Sequence, residues 1–215
     1  MALIEKRKRN LPGTTDSYLI NVKTQERFSR VIGGIAWPGK NPGFLVVIGE
    51  DYEKDETLQK RHYRILTEYS SLSLNDLVRR GSEFSANFCA HPFYGDEKER
   101  WAMERMRKCG TYLNVTAAPF VDDPTAFKGY MHTIRELTHP ATKSLHFGSG
   151  SQLPAHLAAL TPEDMVSTAK VAFEQHPAIA ALGYAVSALE VYSYDPGQQA
   201  EADRLNAELA YLYGD

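Results

Sequence analysis

Seven histidines and two cysteines are the residues of this chain that most readily bind transition metals. Zinc sites depend on close pairs such as His-x-x-x-His or Cys-x-x-Cys. Here His132 and His139 are seven residues apart, and His146 and His156 flank the Gly/Ser segment at 148–151. Because none of the histidines or cysteines has the spacing of a metal-binding motif, the sequence favours scattered surface histidines.

The segment Gly-Ser-Gly-Ser at 148–151 suggests two further chemistries and lacks the remainder of each motif. A serine nucleophile elbow reads Gly-x-Ser-x-Gly and leads into a helix. A phosphate cradle needs a helix that starts at once. The segment is therefore predicted to be a flexible loop. The chain also lacks the Gly-x-x-x-x-Gly-Lys-Ser/Thr loop, so it carries no P-loop ATPase site of its own.

Basic residues are the better indication of a ligand. A helix predicted over 96–109 carries a group that could follow a DNA backbone, namely Lys98, Arg100, Arg107 and Lys108. Glutamates at 97, 99 and 104 dilute this group, so a solvated helix face is the alternative. Shorter basic clusters lie at 6–9, 60–61 and 79–80.

Composition sets the broad class of the protein. The chain has 215 residues, 43% of them hydrophobic and 24% charged, as expected of one soluble domain. A net charge of −3 gives no overall attraction to nucleic acid. No apolar stretch is long enough to span a membrane. Two isolated cysteines favour a reducing compartment, so we expect a cytoplasmic protein.

The apolar pattern predicts the order of the elements. Three runs at 31–36, 44–49 and 62–69 predict an antiparallel meander, because the first connection contains two prolines and two glycines. A strand at 17–22 precedes it. Helices and strands then alternate, with helices predicted at 73–80, 96–109, 123–137, 161–174, 177–191 and 199–212 and strands at 84–90, 111–116 and 144–147. We expect an α/β fold with a mixed sheet flanked by helices.

The predicted domain organisation has three parts. Residues 1–16 contain four consecutive basic residues and a Pro-Gly-Thr-Thr-Asp segment, and are predicted to be a flexible tail. Residues 17–192 form the α/β domain, and residues 193–215 form a helical extension after a break at Asp-Pro-Gly.

The order of elements resembles the RNase H-like nuclease domain of tailed-phage terminase large subunits, over about residues 28–192. Three segments carry the likeness: Gly-Gly-Ile-Ala-Trp-Pro-Gly at 33–39, Phe-Cys-Ala-His-Pro at 88–92, and Ala-Ile-Ala-Ala-Leu-Gly-Tyr-Ala at 178–185. The segment Phe-Lys-Gly-Tyr-Met at 127–131 is similar to a lysine-containing region of the family. The resemblance implies an RNase H-like fold and a role in packaging viral DNA.

The acidic positions of the family hold other residues here. The resemblance places carboxylates on the first strand, after the fourth strand and on the last helix, where this chain has Ala36, His91 and Ala180. Two-metal nucleases need several carboxylates close together, because Mg²⁺ prefers oxygen ligands and both ions hold one phosphate. The sequence therefore predicts a degenerate acidic site.

A relocated metal site is the alternative to a lost one. Its catalytic candidates are His91, Asp96 and Glu174, and its metal-ligand candidates are Glu50, His91 and Glu174, with Mg²⁺ or Mn²⁺ as the metal. Glu50 opens a charged stretch after the second strand of the meander. Asp96 begins a predicted helix, where a carboxylate also favours the positive end of the helix dipole.

Three hypotheses for function follow. The first is a packaging-related pseudonuclease that binds DNA or a partner such as a packaging ATPase or a portal-like protein. The second is an active metal-dependent endonuclease with an atypical ligand set. The third is a structural adaptor that uses the predicted helix at 199–212 for oligomer contacts. Aromatic residues near the expected site, Trp37, Phe93, Tyr94 and Trp101, suit a core or a docking patch.

Overall fold

The computed structural model describes residues 2–8, 17–54, 61–96, 102, 113–118, 126–139, 144–164 and 169–189. Its strands are β1 Ile4–Lys8, β2 Ser17–Asn21, β3 Arg27–Ala36, β4 Gly43–Lys54, β5 Arg61–Ser71, β6 Phe93–Gly95, β7 Val115–Ala117 and β8 Leu145–His146. Its helices are α1 Leu74–Phe88, α2 Ala126–Thr138, α3 Leu153–Ala158, α4 Ala169–Gln175 and α5 Pro177–Val186.

The predicted meander is confirmed. β3, β4 and β5 pair antiparallel in succession, and the middle of β4 is completely buried because helices cover both faces of the sheet. β4 is longer than predicted. It continues through Asp51 to Lys54, which the sequence assigned to a charged loop, and Asp51 is held there by Arg64 of β5 at 3.0 Å.

The later strands add to the meander in parallel. β6 pairs with the second half of β3, with Gly33 opposite Phe93 and Ile35 opposite Gly95. β7 then pairs parallel with β6, and β8 pairs parallel with the start of β5. β2 pairs antiparallel with the first half of the same edge of β3. The expected mixed sheet flanked by helices is therefore confirmed.

The strand predicted at 84–90 is wrong. Those residues mostly extend α1, which begins at the N-cap Ser73 and runs to Phe88 before Cys89 ends it in the left-handed conformation. Its buried residues recur at helical spacing, and the list is Leu74, Leu77, Val78, Gly81 and Phe84. The fourth strand of the core therefore follows the His-Pro pair at 91–92 instead of preceding it.

The predicted N-terminal tail is also partly wrong. Residues 4–8 form β1, which pairs with β2 in a hairpin. Ile4 is fully buried, and the amide of Leu3 donates to the carbonyl of Asn87 at 2.8 Å. One apolar side chain and this backbone bond therefore dock the basic segment against the end of α1. Residues 9–16 lie outside the described residues.

Two apolar cores lie on opposite faces of the sheet. α1 covers Val31, Ile35 and Leu45 on one face. On the other face, α5 covers Ile32, Val46 and Ile48, and α2 packs on α5. Every residue of α5 from Ala178 to Val186 is buried, so this helix is an interior element between the sheet and α2.

Most of the remaining expectations agree with the structure. The strands predicted at 111–116 and 144–147 correspond to β7 and β8, and the helices predicted at 123–137 and 177–191 correspond to α2 and α5. The helix predicted at 161–174 is present as α4, although residues 165–168 are not described. The helices predicted at 96–109 and 199–212 lie largely or entirely outside the described residues. Among the described helices, none has the length and hydropathy of a membrane span.

Candidate functional site

The carboxyl ends of β3 and β6 meet at one edge of the sheet, and we call this region the strand-end site. The register pairs Ile35 with Gly95, so the next residues, Ala36 and Asp96, lie at the same level. The indole Nε1 of Trp37 donates to the carbonyl oxygen of Asp96 at 2.9 Å and ties the two strand ends together. Ligands commonly bind at the carboxyl ends of parallel strands in α/β sheets.

Asp96 supplies a carboxylate at the strand-end site. Its charge acts on Tyr130 of α2, whose ring is almost fully buried. Burial, with a smaller contribution from the negative charge of Asp96, raises the pKa of the Tyr130 hydroxyl well above its ordinary value. Tyr130 is therefore a neutral phenol at physiological pH.

The other two acidic positions implied by the resemblance are filled by packed alanines. Ala36 and Ala180 are 5% and 1% exposed and belong to the same apolar core. Next to Ala180, the carbonyl oxygen of Ala181 lies so close to Gly34 that a side chain at Gly34 would collide with it. The backbone of α5 therefore lies directly on β3.

The end of α4, just before α5, contacts the connection that follows β3. The amide Nδ2 of Asn41, in the connection after β3, donates to the carbonyl oxygen of Glu174 at 2.8 Å. The Glu174 residue itself is exposed. Glu174 is thus near the carboxyl end of β3, but the observed contact uses its backbone.

An aspartate–histidine pair at the start of α5 was missed by the sequence analysis. Oδ1 of Asp164 lies 2.9 Å from Nε2 of His176, and Oδ2 accepts from the amide and hydroxyl of Thr161. These hydrogen bonds, with His176 the largest cause, lower the pKa of Asp164 to about 2. The His176 ring lies 6.3 Å from that of Phe127. Thr161-x-x-Asp164 indicated a helix start but gave no sign of the histidine.

The candidates His91 and Glu50 lie at the other end of the sheet. The amide of His91 donates to Val31 near the middle of β3, and its ring lies 3.2 Å from the side-chain amide of Asn114. Glu50 is opposite Arg30 in the β3–β4 register. Of the four candidates, only Asp96 and Glu174 belong to the strand-end site.

The carboxylate of Glu50 contacts two arginines. Its side chain is 9% exposed, accepts a short hydrogen bond from Arg30, and forms an ion pair with Arg61 at 3.2 Å. Since both carboxylate oxygens already contact cations, this residue is explained by the stability of the sheet rather than by metal binding.

The described residues do not bring together the ligands for the pair of metal ions that the resemblance implies. Within the part of the chain that the structure describes, no three His, Cys, Asp or Glu side chains are grouped closely enough to hold a metal ion. The four predicted DNA-contacting residues, Lys98, Arg100, Arg107 and Lys108, lie outside the described residues. Two exposed lysines that the sequence did not single out lie on elements that border the strand-end site. Lys40 is in the connection after β3, and Lys128 is in the first turn of α2, the helix that carries Tyr130.

The architecture is an RNase H-like α/β fold, since a three-stranded meander is followed by strands parallel to its first strand. The chain is similar to one solved structure, the nuclease domain of the large terminase (g2p) of bacteriophage SPP1 with bound Mn. The identity is 18%, the match covers 74% of this chain and 85% of that chain, and the TM-score is 0.47. No protein-family model matches the chain, and no curated protein matches it significantly.

Proposed function

We propose that this chain is a packaging-related RNase H-like domain of the terminase nuclease type that has lost two-metal cleavage and acts by binding DNA or a packaging partner. The alanine packing at the strand-end site carries this proposal. Ala36 and Ala180 stand where the resemblance implies carboxylates, and both are buried in one apolar core.

The shortage of oxygen ligands at the strand-end site is unfavourable for a pair of metal ions. Two Mg²⁺ or Mn²⁺ ions in a nuclease lie about 3.5–4 Å apart and share several oxygen ligands. The methyl groups of the two alanines supply none, and among the described residues Asp96 is not grouped with two further potential ligands. A buried cation that lacks compensating oxygen ligands carries a large desolvation cost.

Lysines near the strand-end site support binding of nucleic acid. Lys40 and Lys128 are exposed, and neither forms an ion pair with another described residue. By contrast, Arg79 and Arg80 of α1 are both paired with Glu83. Lysines that are not neutralised by protein carboxylates are available to neutralise phosphates and release counterions.

Nicking of supercoiled plasmid tests the loss of cleavage. The purified chain is incubated with Mn²⁺ or Mg²⁺, with EDTA as the control, and binding of a labelled duplex is followed by fluorescence anisotropy. We expect binding that weakens with salt and no metal-dependent nicking. Nicking that EDTA abolishes would overturn the proposal.

The second candidate function is an active endonuclease with an atypical ligand set, because Asp96 occupies the end of a strand parallel to β3. In that case Asp96→Asn abolishes the metal-dependent nicking, whereas Asp76→Asn on the exposed face of α1 leaves it unchanged. Nicking by Glu174→Ala and by His91→Ala tests whether either of these residues is needed for cleavage. Loss of nicking in His91→Ala would place the chemistry at the other end of the sheet.

Binding of a packaging ATPase or a portal-like protein is the other part of the proposal. If the chain binds neither duplex DNA nor single strands, capture of such a partner is the remaining role. A structural adaptor of this kind keeps its partner when Lys40 and Lys128 are replaced. A DNA-binding domain loses affinity for DNA in the same variants.

A further inference from the structure

Two histidines face each other at the β5–β8 edge, away from the strand-end site. Nδ1 of His62 lies 3.1 Å from Nε2 of His146, and the ring centroids are 5.1 Å apart. His146 is exposed, and it lies opposite Arg64 in the parallel register of β8 with β5. The two residues are 84 positions apart in the chain, so the fold brings them together.

The distance between these nitrogens suits a shared transition metal. Zn²⁺ binds imidazole nitrogen at about 2.0–2.1 Å, which puts two ligands of a tetrahedral site roughly 3.3 Å apart. The observed separation is close to that value. Without a metal, one ring donates a hydrogen bond to the other. Metal binding replaces the shared proton and requires the exposed His146 ring to turn so that both lone pairs meet the ion.

Arg64 and Asp51 are charged groups that act on His146. Arg64 is near His146, but its guanidinium is held by Asp51 at 3.0 Å and by Glu26 at 3.2 Å. The positive charge of Arg64 is thus offset in part by these two carboxylates.

We propose that His62 and His146 bind one borderline divalent transition metal ion, of which Zn²⁺ is the representative. The protein supplies two imidazole ligands, and water completes the coordination. This site is separate from the strand-end site, because the start of β5 lies level with Glu50 at the opposite end of the sheet. It is therefore independent of the proposed function.

Metal binding here would hold β8 against β5 at the edge of the sheet. Among the residues that the structure describes, β8 pairs with β5 through two residue pairs, Tyr63 with Leu145 and Arg64 with His146. A metal ion shared by the two strands adds a cross-link at this short contact. Because the ion binds the folded chain and the site is absent when the chain unfolds, it raises the stability of the fold.

Titration calorimetry with Zn²⁺ alone, on the untagged full chain near neutral pH, tests the site. We expect one ion per chain. His62→Ala and His146→Ala are each expected to weaken binding by more than the roughly 10–100-fold that loss of an outer partner costs. The matched control is His132→Ala, an exposed histidine of α2, which keeps the wild-type affinity.

Thermal unfolding gives a second readout that does not depend on calorimetry. Zn²⁺ raises the unfolding temperature of the wild type and of His132→Ala, EDTA reverses the rise, and both site variants show none. Metal-free unfolding temperatures close to the wild type show that the variants are folded. Binding that is equal in the wild type and in the double variant His62→Ala/His146→Ala would overturn the proposal.

Discussion

The Cα of Gly34 in β3 lies against the carbonyl oxygen of Ala181 in α5, with no space for a side chain between them. The same helix meets α2 at Gly183, where an added Cβ would lie 2.8 Å from the ring of Tyr130. Glycines on the strand and on the helix thus let α5 approach both of its neighbours closely. This packing also fixes the alanines at the strand-end site.

Gly34→Ala is expected to destabilise the fold by about 3 kcal/mol or more, because backbone atoms must move to admit the methyl group. Urea unfolding followed by circular dichroism measures the change. Gly39→Ala is the matched control, since nothing lies within 4 Å of its added Cβ, and it should change stability by less than about 0.5 kcal/mol. Equal stability of the two variants would contradict the close contact.

Glu50→Gln is expected to lower the free energy of unfolding by about 1–3 kcal/mol, because it removes the negative charge that holds Arg30 and Arg61. Glu53→Gln is the control: its carboxylate is 81% exposed and 3.9 Å from Arg27, so its removal should cost less than about 0.5 kcal/mol. If Glu50 instead served as a metal ligand, its replacement would abolish metal-dependent nicking. Chemical denaturation and the plasmid assay together distinguish these roles.

Asp164 links stability to acid pH. Its pKa in the folded chain is about 2, below the ordinary value of 3.8, so the carboxylate form is favoured by folding. The stabilisation is complete above pH 3.8 and is lost as the pH falls towards 2. Asp164→Asn should remove this part of the acid dependence, whereas Glu53→Gln should retain it. Unfolding curves that keep the wild-type slope in Asp164→Asn would count against the pair with His176.

Lys40→Ala/Lys128→Ala should weaken duplex binding at low salt. Each phosphate contact that is lost lowers the slope of log affinity against log salt by about 1. Anisotropy titrations at several salt concentrations measure the slope. Lys23→Ala, in the turn after β2, is compared with each single lysine variant as the control for loss of one positive charge. An unchanged slope in the double variant would remove these lysines from the DNA-binding surface.

The meander was predictable because its strands have strong local signals. The run Phe44-Leu45-Val46-Val47-Ile48 reads as a strand buried on both faces, and the proline- and glycine-rich connection marks the turn before it. α1 had an equally clear start at Ser73, but its far end was read as a strand. The aromatic residues Phe84 and Phe88 suit either element, although their four-residue spacing matches a helix.

The candidate site was less predictable than the fold, because its position depends on where α1 ends and the fourth strand of the core begins. Placing the fourth strand before Pro92 brought His91 forward as the residue at the strand end, whereas the structure puts Asp96 there. The pair of Asp164 with His176 and the pair of His62 with His146 arise from contacts between distant segments. Neither residue spacing nor periodicity contains that information.

The hairpin of β1 and β2 is synthesised well before the residues of α1 against which it packs. β1 pairs with β2, which follows it closely in the chain. The buried Ile4, however, packs among residues of α1, and the Cys89 thiol donates to the carbonyl of Ile4 at 3.3 Å. At a synthesis rate of about 5–20 residues per second, roughly 4–17 seconds pass between Ile4 and Cys89. During that interval the nascent chain carries an exposed strand edge with an apolar side chain, a surface suited to capture by a chaperone.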